Sequence, residues 1–305
     1  MRSYARSRAR NSGCGECSPG LSAPRPARRS KAPRNNRCVL RRRSLFAATL
    51  AYSAPAAFAR TAGAAGGPLR VGVDSALVDS GLAAGLKRAF AADTGIAVLL
   101  VTGAALAILD AVREGEVDAA LCNAPAAEES LEQQGLVHDR QQVAAGEFLL
   151  VGPAPRVRGR ATPPGRSGVD VLASIREVAA ASPAAVTFLS AGNGSGTHIV
   201  EQALWRAARI APAAPWYASA DRQRGFIAQV RASGAYAVVE RGAWGAQGGE
   251  PLSVLVEGDP LLAEAVHAMR SFRVAHPAGK IFIAWIAGRR GQAVVSRHRG
   301  YRTYT

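Results

Sequence analysis

The chain has 305 residues, 48% hydrophobic and 20% charged, a globular composition long enough for two cores rather than one. Its net charge of +16 sits at one end: residues 1–59 hold thirteen Arg or Lys against one acid, Glu16, and the rest carries 25 basic and 21 acidic residues. That near balance excludes a strongly basic folded surface and, with it, a nucleic-acid partner. Only Cys122 follows the leader, so the body has no intramolecular disulfide. Cys14-x-x-Cys17 has no second pair at zinc spacing, and the five histidines are scattered, so neither a metal nor a cofactor is expected.

Residues 41–59 read RRRSLFAATLAYSAPAAFA: a basic cluster, a short apolar run and small residues before Arg60. This is the order of a secretory signal, with an apolar stretch shorter than the ~20 residues of a membrane helix. Arg42-Arg43-Ser44-Leu45-Phe46 also fits the twin-arginine export pattern. The expectation is a leader over 1–59 and an exported, soluble periplasmic body, with a linker over 60–68.

Taken in chain order, Leu69–Val73 reads as a buried strand and Gly81–Thr94 as a helix stopped by Gly95. Ile96–Val101 is a second strand, Ala104–Arg113 a helix, Val117–Cys122 a third strand and Pro125–Gln134 a helix. Glu147–Gly152 reads as another buried strand. The polar stretch 153–168, rich in Arg, Pro and Gly, marks a boundary. Beyond it the rhythm resumes with helices over Val169–Ala181, Gly196–Ala208 and Gly225–Ala232, and strands over Ala185–Leu189 and Ala235–Val239. Helical segments over Ile281–Ala287 and Gly291–Arg297 close the chain. Strands alternating with helices predict parallel α/β layers.

The segment Ser190–Glu201, SAGNGSGTHIVE, carries the most chemistry. A strand runs through a Gly-rich turn into a helix, so unpaired N–H groups and the positive dipole end project from the helix start. Ser195, Gly196 and Thr197 would add hydroxyls and an open backbone, a cradle for an oxyanion. The same residues are good helix caps, and the pattern alone leaves both readings open. Ser75, after the first strand, and Thr102, after the second, also stand at carboxyl ends of strands, where open α/β sheets bind ligands. Capping accounts for Thr102 and Ser80 as well. A serine hydrolase is disfavoured, because a G-x-S-x-G elbow around Ser195 needs glycines where Asn193 and Thr197 stand. His198 and the four tryptophans are read as structural, and Arg241 as a partner in an ion pair or a ligand contact.

From Leu69 onward the chain resembles the tungstate-binding, TupA-type periplasmic receptors. The resemblance is carried by DSGL (79–82), GEVDAAL (115–121), NAPAAEE (123–129), GEFLLVGP (146–153), SGTH with Glu201, AYAVVERGAW (235–244), LVEGDP (255–260) and FIAW (282–285). It implies an α/β, two-lobed periplasmic-binding-protein fold of the type II, flytrap kind. The first lobe would comprise 69–151 plus 260–305 and the second 152–259. It further implies a monomer that captures tungstate or molybdate and delivers it to an ABC permease; a receptor for another anion or small organic acid, or a sensory receptor, are the alternatives. Three departures touch the ligand. Asp74-Ser75-Ala76-Leu77 replaces a run of hydroxyl residues, Ala191 replaces an arginine, and Ala220–Arg224 (ADRQR) replaces a Gly-rich loop, where Arg222 or Arg224 could supply the missing charge.

Overall fold

The computed structural model describes residues 67–153, 170–180 and 188–304, together with the backbone alone of 156–157, 160–161 and 166–167. The expected leader, Cys14-x-x-Cys17, most of the linker and the first residues of the strand expected from Ala185 lie outside the described residues.

The first elements are β1 (Leu69–Asp74), α1 (Ser75–Asp79), α2 (Leu82–Thr94), β2 (Val98–Gly103), α3 (Ala105–Glu114), β3 (Ala119–Cys122), α4 (Pro125–Gln133) and β4 (Val137–Gly152). After the short strands β5 (Arg156–Val157), β6 (Arg160–Ala161) and β7 (Arg166–Ser167) come α5 (Val171–Ala180), β8 (Phe188–Ser190), α6 (Gly196–Ala208), β9 (Tyr217–Ser219) and α7 (Phe226–Ser233). The chain continues with β10 (Ala237–Glu240), α8 (Arg241–Gln247), β11 (Ser253–Glu257), β12 (Ala263–Ser271), α9 (Pro277–Ala287) and α10 (Arg289–Val295).

Strand β1 is parallel to both β2 and β3, as strands joined by crossover helices must be. The antiparallel strand β12 then joins β3 to the first part of β4. The second part of β4 pairs antiparallel with β10 and β11. One 16-residue strand therefore runs from one half of the sheet system into the other.

Each half has apolar side chains on both faces. In the first, Val71, Val73 and Leu121 pack with Leu86 and Phe90 of α2 and Phe282 and Ile286 of α9. On the opposite face, Ala120 and Cys122 meet Ile108 and Val112 of α3. In the second, Phe148 and Leu150 pack with Ile175 of α5 and Leu204 and Trp205 of α6, while Leu149 and Val151 face α7 and α8. Burial at roughly 25 cal/mol per Å² of apolar surface drives both assemblies.

The expected elements of the first half match to within two residues apart from β4 and α9, whose start lies four residues before the expected Ile281. Four differences have physical causes. Helix α1 was not expected; it exists because the Asp74 side chain accepts from the Ala76 N–H and caps it. Strand β4 starts ten residues earlier than its apolar run, because its polar first part, HDRQQ, is exposed or half-buried and is held as strand by pairing with β12. Strand β12 hides polar residues by pairing them: His267 with Glu128 and Arg270 with Asp139. Helix α8, with two glycines in seven residues, is held at its start by Glu240, whose oxygens accept from the Gly242 and Ala243 amides at 2.6 Å each.

Candidate functional site

The Gly-rich turn before α6 folds as a tight nest. Gly192 and Gly194 take φ of +59° and +80°, left-handed conformations that a side chain would strain. Ser195 is the cap of α6, and its Oγ accepts from the His198 amide at 3.4 Å. His198 turns back, its Nδ1 accepting from the Gly194 amide at 3.0 Å, so Ser195 and His198 serve the turn rather than forming a nucleophile and base. Gly196 is pressed against the Asn123 side chain, and no Cβ would fit there.

The start of α6 meets the end of β1. Asp74 is fully buried, and its Oδ2 accepts from the Gly196 amide at 3.3 Å while Oδ1 accepts from Ala76 at 2.9 Å. The Ala105 amide, at the start of α3, also faces this carboxylate and favours its charged form. One side chain therefore sits where three helix starts converge, the position at which helix dipoles favour an anion. Burial pushes the Asp74 carboxyl up to about 6 despite those three N–H groups, with the nearby Asp79 charge adding to the rise. A second link joins the same regions, Leu106 N–H donating to the Gly194 carbonyl at 3.2 Å.

Beside this junction lies a cavity of about 40 Å³, room for roughly three waters or one compact ion. Ser75 and Asp79 contribute from α1, Asn193, Ser195 and Thr197 from the turn and α6, and Glu240 from the start of α8. Among the described residues, no Lys, Arg or His lines it. Burial raises the Glu240 carboxyl to about 7, against the pull of its two capping amides. Glu264, on β12, is raised well above the usual range by burial and by the Glu240 charge. Asp79 is raised by burial, with a hydrogen bond from Gln247 opposing the shift.

Of the sequence candidates, Ser75, Ser195 and Thr197 are brought together on this cavity, and Gly196 adjoins it with its amide engaged by Asp74. Thr102 stands elsewhere, in β2 opposite Val73 and exposed. Arg222 and Arg224 are exposed as well; Arg222 donates to the Gly192 carbonyl at 3.2 Å. Sequence reasoning missed Asp79 and Glu240 as cavity residues. Asp79 lies within a motif singled out for its serine, and Glu240 hides in an apolar strand ending in ERGAW.

Arg241 pairs with Glu147 and Glu257, so it braces β4 against β11. Trp205 packs with Phe188, Trp216 and Tyr217 inside the second half, and Trp285 packs edge-on against Phe90. Among the described residues, no group of His, Cys, Asp and Glu is arranged to hold a metal. None of their helices is long and apolar enough to cross a membrane.

The family model described as the PBP superfamily domain matches residues 59–289. The chain belongs to the PBP superfamily. Its fold is the α/β, two-lobed periplasmic-binding-protein type. Among PBP relatives, it is 29% identical over 229 residues to the tungstate-binding protein TupA of Peptoclostridium acidaminophilum, spanning 72% of this chain and 77% of that protein. The tungstate-binding protein TupA from Desulfovibrio alaskensis G20 superposes with a TM-score of 0.60 at 26% identity, covering 79% of this chain and 100% of that one. The tungstate ABC transporter structure from Geobacter sulfurreducens gives a TM-score of 0.63 at 24% identity, covering 75% and 97%.

Proposed function

We propose that this PBP-superfamily protein captures a small oxyanion, tungstate or molybdate, in the cleft between its lobes and hands it to an ABC permease. The observation that carries the reading is the meeting of Ser75, Ser195 and Thr197 on one cavity at the start of α6. Neutral hydroxyl and amide donors suit a fully ionised oxyanion because they hold charge without a counter-ion. The function is binding rather than turnover. The first lobe is 69 to about 146 with β12, α9 and α10, and the second lies between. The second part of β4 pairs with β10 and β11, so the boundary expected at 151 falls inside β4, near the hinge. An anion contacting both lobes at once favours the closed form by its differential affinity. The basic, apolar and small-residue order of 41–59 supports a signal peptide, of twin-arginine type, and a periplasmic body.

The test is a thermal-shift panel of tungstate, molybdate, sulfate, phosphate and small organic acids on protein purified without anionic buffers. A ligand at a hundred times its Kd adds about 2.7 kcal/mol, enough to raise the midpoint by several degrees. A selective shift with tungstate or molybdate is the expected result, and Ser195→Ala/Thr197→Ala should remove it at least tenfold in affinity. No shift with any oxyanion would refute the reading. A shift confined to organic acids or phosphate would move the ligand class, an outcome made concrete by the two cavity carboxylates, Asp79 and Glu240.

A further inference from the structure

The oxyanion reading leaves one side chain unexplained. Asp74 is a buried acid placed where the starts of α1, α3 and α6 converge, and it holds the Gly196 amide from the other half of the molecule. That junction is the most favourable place for an anion near the cavity, and the protein fills it with its own carboxylate.

The titratable groups around Asp74 make a second anion harder to accept. Asp79 faces it from α1, Cys122 from the end of β3, Glu240 from the start of α8 and Glu264 from β12. The neighbouring cations are engaged elsewhere: Arg241 by Glu147 and Glu257, and Arg222 by the Gly192 carbonyl. His198 on α6 uses Nδ1 to accept from Gly194. The Asn123 Oδ1, buried against Gly196, and Glu264 Oε2 meet no donor among the described residues, so buried acceptors at the junction outnumber the donors that reach them.

We propose that Asp74 is an internal anion that competes with the captured oxyanion for the helix starts at the cleft, so that capture of a dianion is coupled to uptake of a proton. The inference rests on the oxyanion reading above and adds its specificity residue and its pH control. A proton on Asp74 removes the like charge and weakens its hold on the Gly196 amide, leaving that donor to the ligand. Burial already brings the Asp74 carboxyl close to the working range, at about 6.

The experiment is titration calorimetry with tungstate from pH 6 to 8.5, in two buffers of different ionisation enthalpy. It compares the unaltered protein with Asp74→Asn and Asp74→Ser; serine keeps a capping hydroxyl for α1, and thermal unfolding confirms that each variant is folded. Uptake of one proton makes the affinity of the unaltered protein fall by up to tenfold per pH unit above pH 6. Both variants should lose that slope, lose the buffer-dependent proton uptake, and bind at least tenfold tighter at pH 8.5. Tight binding by the unaltered protein with a flat pH profile would overturn the inference and leave the oxyanion reading standing. A slope that persists in both variants would move the proton to another group, such as Glu240, and overturn the role of Asp74. Absence of binding in all three proteins at every pH would overturn both readings.

Discussion

Glu201 and Glu264 are buried to similar depth, 1% and 3% exposed, and their surroundings differ completely. Glu201, inside the second half, accepts from Ser190 Oγ at 2.6 Å, Tyr217 Oη at 2.7 Å and Trp205 Nε1 at 3.1 Å. Glu264, between the halves, accepts from Asn123 Nδ2 at 2.7 Å, and its Oε2 meets no donor among the described residues. A carboxyl ringed by side-chain donors is part of the architecture. Glu264, short of donors and with Glu240 and Asp74 for neighbours, is driven toward its protonated form. The difference separates the Glu201 network, where the carboxyl is met by several donors, from the junction, where protonation can still change.

The largest effect that would test this contrast is loss of the Glu201 carboxylate. Glu201→Ala strands the buried Ser190 and Trp205 donors, each costing about 1–3 kcal/mol when unpaired, and removes the acceptor of the half-buried Tyr217 hydroxyl. At roughly 2–4 °C per kcal/mol, the unfolding midpoint should fall by about 10 °C or more. A fall of less than ~3 °C would mean that the network around Glu201 is not structural and that the comparison fails on its first side.

The second prediction concerns pH. Asp74 rises from 3.8 to about 6 and Glu240 from 4.5 to about 7 on folding. Between those limits the folded state holds protons that the unfolded chain releases. Stability is therefore greatest toward the acid side of this window and falls as pH rises through 6 and 7. Asp118, lowered by its hydrogen bonds and ion pair with Arg70, works in the opposite direction, but only toward pH 4 and below. The ligand-free protein should thus melt several degrees higher at pH 5 than at pH 8. Glu264→Gln should raise the midpoint at pH 8 by a few degrees, since glutamine keeps the acceptor for Asn123 and removes the cost of protonating a buried acid that the unfolded chain leaves ionised. A midpoint that rises with pH across this window would refute the assignment of raised carboxyls to the junction.

The parts of the molecule visible in the sequence are those governed by local rules. Helix α2 ends at Gly95 because glycine takes φ of +72° there, and α6 begins where Ser195 caps it. Apolar runs of strand length, such as EFLLVG, found the buried part of β4. What escaped depends on partners distant in the chain. The polar first part of β4 is a strand only because β12, more than a hundred residues later, pairs with it. Helix α8 exists through the Glu240 cap rather than its own propensity. At the site, the Gly-turn hydroxyls were legible because their spacing is local. That Asp74 would reach the Gly196 amide, 122 residues away, was not, and neither was the approach of Glu240 to the same cavity.

A smaller effect probes the cap alone. Ser195→Ala removes the acceptor of the His198 amide and should cost about 1 kcal/mol, or 2–4 °C. Chemical denaturation should register it as a lower midpoint with an unchanged slope. A loss several times larger would mean that Ser195 also holds the two halves together.

The smallest expected effect lies at the exposed turn. The sequence offered Arg222 and Arg224 as cations for the ligand, because Ala191 stands where an arginine is expected. Both side chains are exposed, and neither lines the cavity. Arg222 donates to the Gly192 carbonyl, so its substitution loosens the Gly turn slightly, while Arg224 makes no side-chain hydrogen bond among the described residues. Arg224→Ala should therefore change the midpoint by no more than about 1 °C, as surface substitutions usually do. Tungstate affinity should stay within twofold in Arg224→Ala and within a few fold in Arg222→Ala, with any loss in Arg222→Ala unaffected by 0.5 M salt. A tenfold, salt-sensitive loss in either variant would show the turn folding over the cleft to supply charge. The junction would then be less deprived of cations than its buried carboxyls indicate, and the contrast between scaffold and junction would have to be redrawn around a mobile arginine.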